Sequence, residues 1–288
     1  MKKIGVVTDS SSGLSVSECK SLGIYNIPMP FLIDGKEYYE EKDITKDDFF
    51  KMLDNGSSFM TSQPLAESVL ECWDEALKEC EYLIHMPISS GLSSSYNTAM
   101  ILAGDEKYKN RVFPVDHKKI TGCHVKSIKD ALSMIDQGKS PEEIRKIIED
   151  DKYKSSYIIQ LDTLTYLAKG GRVNNAAAFL GNLLSLKPVL FSNGDNFNVV
   201  SKTRTLNAGK STVLELTKEF IDKELKCNDY NSLRFFSVHE RRPDIAAEFA
   251  GEIKSYFSLK DEVEIHELPL IIACHIGPGA LACACCKK

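Results

Sequence analysis

Tyr82-Leu83-Ile84-His85-Met86-Pro87 runs directly into Ile88-Ser89-Ser90-Gly91-Leu92-Ser93-Ser94-Ser95-Tyr96-Asn97, and this junction decides the fold. A short apolar run ends in a loop of hydroxyls and glycine, and a helical stretch follows through Ala103. That is a strand–loop–helix unit. The same unit opens the chain. Lys3-Ile4-Gly5-Val6-Val7 reads as a buried strand, and Asp9-Ser10-Ser11-Ser12-Gly13-Leu14-Ser15 is its loop. Ser15-Val16-Ser17-Glu18 is a capping box that starts the next helix. Strand, loop and helix in repetition predict a parallel α/β layout.

Working outward, residues 25–33 are extended and broken by Pro28 and Pro30; Asp34-Gly35 makes a tight turn, and 47–54 is a short helix. Thr61-Ser62-Gln63-Pro64 is expected to open a long helix, with Pro64 in its first turn. Leu65, Val69, Trp73, Ala76 and Cys80 then share one apolar face. A strand at 112–115 and helices at 123–135 and 141–149 complete the first half. A composition shift after Lys154 places a boundary near residue 157. The reading is two α/β domains: a parallel-sheet N-terminal domain over 1–157 and a mixed α/β C-terminal domain over 158–288. In the second, a strand at 157–161 precedes an apolar helix at 176–186, more readily core than ligand tunnel. Asn193-Gly194 joins 189–191 to 198–200 as a hairpin, and 206–225 is a helix. Strands at 235–238 and 263–265 flank a helix at 244–256, and 271–274 reads as a strand before a glycine loop.

The chain has 288 residues, 43% hydrophobic and 27% charged, which fits a soluble protein with real cores. A net charge of -5 argues against general nucleic-acid binding. Lys2-Lys3 followed by Ile4-Gly5-Val6-Val7 is too short for a signal peptide, and no apolar run has the length of a membrane span, so a cytoplasmic location is expected. Nine cysteines are scattered except for Cys283-Ala284-Cys285-Cys286. A zinc site needs a second pair or added histidines, so no metal is expected and the thiols read as buried and free.

Further loops, Ala168-Lys169-Gly170-Gly171-Arg172 and His275-Ile276-Gly277-Pro278-Gly279, add an arginine and a histidine to the hydroxyl loops. Helix N-termini, hydroxyls, arginine and histidine all donate to anions, so the set reads as a cradle for a phosphate or carboxylate. Each loop alone is equally well explained by helix capping or a turn. Three enzymatic patterns fail. Gly277-Pro278-Gly279-Ala280-Leu281-Ala282 has the dinucleotide glycines but no second strand and acid after it. Gly209-Lys210-Ser211 lacks the leading glycine of a phosphate loop, since Arg204 stands there. Gly91-Leu92-Ser93-Ser94-Ser95 has serine where a nucleophile elbow has glycine. A serine hydrolase or esterase using Ser93, His275 and an aspartate remains the competing reading, and a phosphate- or sugar-binding module the third.

In order and spacing, Thr8-Asp9-Ser10, Thr61-Ser62-Gln63-Pro64, Ile88-Ser89-Ser90-Gly91-Leu92-Ser93, Tyr166-Leu167-Ala168-Lys169-Gly170-Gly171-Arg172, Lys187-Pro188-Val189, Thr203-Arg204-Thr205 and His275-Ile276-Gly277-Pro278-Gly279 span nearly the whole chain. In these marks the chain resembles the DegV family of bacterial fatty-acid-binding proteins, the carrier subunits of the fatty acid kinase system. The resemblance implies two α/β domains with a long-chain fatty acid held between them in a closed apolar tunnel. It implies that Thr61, with Ser62 beside it, and Ser93 bind the carboxylate, and that Arg172, His275 and Gly277 lie near the ligand head. It implies that Arg204 faces the partner kinase, which supplies ATP. No catalytic residue and no cofactor beyond the bound lipid are expected, and transient membrane contact is compatible with lipid exchange. Ser94-Ser95 replaces a common Gly-Thr, which bears on the head-group pocket, and Ala282 replaces a common glycine. The energetics agree: about 0.8 kcal/mol per buried CH₂ gives roughly 12 kcal/mol for ~15 groups, against association costs of ~4–15 kcal/mol.

Overall fold

The computed structural model describes residues 2–174 and 186–288. The helix expected at 176–186 falls, but for its last residue, outside them. The chain divides into two compact units, one running to Lys152 with Pro269–Ile271 added, the other comprising Tyr153–Leu268 and Ile272–Lys288. The division precedes the expected 157 because the first strand of the second unit begins at Ser155, where Ser155 and Ser156 pair with Cys286 and Cys285.

In the first unit, β1 (Lys2–Asp9) leads through a 3₁₀ turn at Ser10–Ser12 to α1 (Val16–Leu22), whose capping box between Ser15 and Glu18 is present. β2 (Tyr25–Ile27), β3 (Phe31–Ile33) and β4 (Lys36–Tyr38) follow, then α2 (Lys46–Asp54) and β5 (Phe59–Thr61). After α3 (Ala66–Glu79) come β6 (Cys80–Met86), α4 (Ser95–Leu102), β7 (Val112–Pro114), α5 (Thr121–Asp136) and α6 (Pro141–Asp150). One sheet has the order β2-β1-β6-β7, with every pairing parallel. Helices cover both of its faces, so its strands are apolar on both sides. Ile4, Val6, Ile84 and Met86 pack with Ile128 and Ile144, while Val7, Leu83 and Val69 pack with Trp73 and Tyr108. A small antiparallel sheet, β4-β3-β5, stands beside it in the chain.

The expectation for Thr61-Ser62-Gln63-Pro64 is corrected here. Thr61 ends β5, pairing with Phe31, and α3 starts only at Ala66. Leu65 is itself extended, with φ −61° and ψ 145°, so the helix cannot begin before it. Pro64 therefore precedes the helix. Leu65 stands at its N-cap and is 62% exposed, off the apolar face that Val69, Trp73 and Ala76 do form.

In the second unit, β8 (Ser155–Gln160), α7 (Thr165–Gly170), β9 (Lys187–Ser192) and β10 (Asn198–Thr203) precede α8 (Leu206–Phe220), which runs on as a π-helical turn to Leu225. β11 (Leu233–His239), α9 (Pro243–Tyr256), β12 (Glu264–Glu267), α10 (Leu270–Ile276), whose first two residues are assigned to the first unit, and β13 (Leu281–Lys287) complete it. The sheet order is β10-β9-β8-β13-β11-β12, antiparallel except for the parallel β11–β12 pair. Residues 271–274, expected as a strand, are helical, and the strand is the cysteine-rich tail itself. β13 lies between β8 and β11, and Cys283 and Cys285 pack with Phe235, Phe249 and Phe257. Burial drives the Cys283 thiol well above its ordinary value and Cys285 to about 12, so both stay protonated. Cys283 and Cys286 are three apart on a strand and face opposite sides, so this pair cannot close on one ion. Gly209-Lys210-Ser211 lies inside α8, where the buried Lys210 bridges Glu248 and Glu252 at 3.1 and 2.8 Å. The hairpin expected around Asn193-Gly194 is present: β9 and β10 pair antiparallel, with Phe191 opposite Asn198.

Candidate functional site

In open parallel sheets, ligands sit outside the carboxyl ends of the strands, where the strand order reverses direction. Here that point lies between β1 and β6. Both hydroxyl loops leave from it. Asp9, the last residue of β1, is buried and joins them. Its Oδ1 accepts from the Ser11 amide at 3.0 Å and from the Ser11 hydroxyl, and its Oδ2 accepts from the Ile88 amide at 2.7 Å. Burial raises its pKa to about 6, with the bonds from Ser11 and Ile88 opposing the shift. Asp9 is thus a staple that orders backbone, and it spends its oxygens on the protein.

Ser89 caps the turn below Ser93, accepting from the Gly91 amide at its Oγ and from the Leu92 and Ser93 amides at its carbonyl. The Ser93 Oγ lies 2.9 Å from the Ser95 Oγ and accepts from the Ser95 amide at 3.2 Å. A nucleophilic serine needs a base within hydrogen-bond reach. Among the described residues Ser93 has Ser95 in that position. The Thr61 loop is tied to the same region, because Thr98 on α4 donates to the Gln63 Oε1 at 3.1 Å. The Ser62 amide donates to the Pro30 carbonyl at 3.4 Å, and its side chain is exposed. Beside the first serine loop, a cleft of about 630 Å³ is lined by Ser10, Leu14, Cys19, Pro28, Glu40 and Lys46, among others. Its size suits a small molecule, but its charged rim differs from a wholly apolar tunnel.

A third loop at the same end of the sheet was not singled out from the sequence. Asp116-His117-Lys118-Lys119-Ile120-Thr121 follows β7, and His117, Lys118, Lys119 and Thr121 are all buried. His117 stacks on His124 with ring centroids 4.1 Å apart, and His124 Nε2 donates to the Met86 carbonyl at 3.1 Å, next to Thr8. The available signal was a dense His/Lys run directly after a strand of a parallel sheet.

In the second unit, the Gly-Gly-Arg and His-x-Gly-Pro-Gly motifs meet. Gly171, with φ 69°, closes α7, and the Arg172 guanidinium turns back onto the Gly170 carbonyl. A Cβ on Gly170 would stand 2.1 Å from the His275 Nδ1, so only glycine lets the two loops touch. Gly277, at φ +73°, would set a Cβ 2.2 Å from the Tyr166 ring. His275 is held down to about 4, mainly by burial and further by the Arg172 charge. At neutral pH the pair is therefore one fixed cation and one neutral imidazole, able to donate a single N–H. Arg204 is on another loop, directly after β10. It is exposed, between the buried Thr203 and Thr205, the N-cap of α8. Gln160 donates to the Thr203 hydroxyl and the Thr205 carbonyl, both at 3.1 Å, and holds this arch rigid.

The structure therefore gathers Thr61, Ser62 and Ser93 in one unit and Arg172, His275 and Gly277 in the other, with Arg204 on a separate arch. Known proteins are similar to this chain over nearly its whole length. The model of the family described as "Uncharacterised protein, DegV family" matches residues 3–288. A DegV domain-containing protein of Caldanaerobacter subterraneus is 29% identical over 97% of both chains. The solved structure of a DegV family protein of Thermus thermophilus, described for its fatty acid binding, is 26% identical, with a TM-score of 0.87 over 99% of this chain and 100% of that one. DegV of Bacillus subtilis, described as a fatty acid binding protein, is 27% identical, with a TM-score of 0.83 over 100% of both. No helix among the described residues is long and apolar enough to cross a membrane. With the family model matched over residues 3–288, the chain belongs to the DegV family.

Proposed function

We propose that the protein is a carrier that binds a long-chain fatty acid and presents it to a partner kinase for acyl-phosphate formation, without catalysis of its own. The observation that carries this reading is the full-length match to solved relatives described as fatty-acid-binding. In the reading, Thr61 and Ser93 donate to the carboxylate, Arg172 supplies the charge and His275 a neutral donor. The test is mass spectrometry of lipid extracted from purified protein. A C14–C20 fatty acid is expected; protein free of lipid and unable to take up palmitic acid would overturn the reading. The esterase alternative predicts Ser93-dependent turnover of p-nitrophenyl esters, and the pairing of Ser93 with Ser95 speaks against it.

Thr61→Val combined with Ser93→Ala should weaken palmitic acid binding by about 3 kcal/mol, roughly a hundredfold, since bonds to a charged acceptor contribute about 1.5–3 kcal/mol each. Unchanged affinity in the folded double variant would remove both residues from the site. Arg172→Ala should weaken palmitic acid much more than hexadecanol, because the alcohol carries no charge to pair. Equal losses would assign Arg172 to the loop structure alone. Arg204→Ala should keep lipid binding but lose acyl-phosphate formation with the kinase, as its exposed arch fits a docking role.

A further inference from the structure

Lys119 is 6% exposed, in the loop between β7 and α5. Among the described residues its ammonium donates to the Ser127 hydroxyl at 2.9 Å and makes no ion pair. Ser127 is neutral and takes one of three N–H groups. Lys119 N donates to His117 Nδ1 at 3.0 Å, and His117, His124 and His85 are all buried and neutral near pH 7. Thr121 Oγ1 is buried without a hydrogen-bond partner. Asp9 is bonded to Ser11 and Ile88 and Asp130 to Lys126; Asp116, three residues before Lys119, pairs with Lys152 at 3.8 Å, and its Oδ1 is buried without a hydrogen-bond partner. Residues 175–185 contain no Asp or Glu, so that segment cannot supply one.

A buried ammonium without an anion is costly, and a fold that keeps one has a use for its charge. The loop stands at the carboxyl end of the parallel sheet, with the two hydroxyl loops. We propose that Lys119 is the counter-ion of a ligand carboxylate, a charged contact of the amino-terminal unit additional to Arg172. This rests on the fatty-acid reading. The carboxylate is either the head group of a simple fatty acid or the second acid group of a long-chain dicarboxylic acid.

Lipid-stripped wild-type and Lys119→Met proteins are titrated with palmitic acid, hexadecanedioic acid and hexadecanol, and their ligand-free melting temperatures are measured. Lys119→Met should melt at or above the wild-type temperature, because an unpaired buried charge is gone. It should bind hexadecanol as wild type does and lose about tenfold or more for the acid whose carboxylate it meets. Loss for both acids places Lys119 at the head group; loss for the diacid alone places it at the far end. Equal affinities of the two proteins for all three ligands, or a lower melting temperature with equal losses, would overturn the proposal. Wild-type protein that binds none of the three would instead defeat the fatty-acid reading itself.

Discussion

The amino-terminal unit should lose about 3 kcal/mol of stability between pH 6 and pH 5. His85 and His124 are held down to about 3, and His117 well below its ordinary value, in each case chiefly because burial excludes water from the charged form. The unfolded chain titrates near 6.5, so below that pH it takes protons that the folded unit refuses. Their contribution is complete above about 6.5 and is lost as pH falls towards the folded values. Three such groups give a slope of roughly 4 kcal/mol per pH unit. Asp9 has the opposite sign. Its folded value, about 6, lies above the unfolded 3.8, so acid favours the fold by returning about 1 kcal/mol per pH unit across this range. The single tryptophan, Trp73, is fully buried in this unit with its ring 5.5 Å from His85, and it reports the transition locally. Urea unfolding followed by Trp73 fluorescence at pH 7, 6 and 5 measures the slope. His124→Gln should reduce it by about 1 kcal/mol per pH unit. A stability that stays level from pH 6 to pH 5 would mean that these rings are hydrated in the folded protein.

These histidines also mark the limit of what the chain discloses before it is folded. The strand–loop–helix units at Asp9 and Ile88 were legible because their signals are local: an apolar run, a hydroxyl loop, and a capping box between Ser15 and Glu18. The contact of the Gly170 loop with His275 was legible only as motif, since it depends on Gly170 having no Cβ, a fact of tertiary packing. Thr61 was misplaced at a helix start because its strand state comes from Phe31, thirty residues away. β13 was missed because Leu281-Ala282-Cys283-Ala284-Cys285-Cys286 has neither β-branched nor aromatic residues; pairing on both sides makes it a strand. The helical state of Leu270–Ile276 is a case of a short apolar run that periodicity cannot assign. The His/Lys run around Lys119 could have marked its loop, but not its burial, since such a run ordinarily reads as a solvated surface.

Gly277→Ala should destabilise the carboxyl-terminal unit by about 3 kcal/mol and weaken fatty acid binding, whereas Gly171→Ala should cost only about 1 kcal/mol. Both glycines have left-handed backbone, φ 73° and 69°. Any Cβ there costs about 1–2 kcal/mol. The surroundings separate the two. At Gly171 nothing lies within 4 Å of the added carbon, so the backbone cost stands alone. At Gly277 the carbon would stand 2.2 Å from Tyr166 Cδ2 and 2.6 Å from Cε2. An aromatic ring packed on a loop cannot retreat as a flexible chain end can, and overpacking of this kind adds about 1–3 kcal/mol. If the loop yields instead of the ring, His275, two residues away, moves off Gly170, and the neutral donor of the proposed head-group site moves with it. Urea unfolding followed by circular dichroism, with palmitic acid titration of both variants, distinguishes these results. Equal destabilisation by the two substitutions would show that Tyr166 is free to swing aside, and that Gly277 is required for its backbone angle alone.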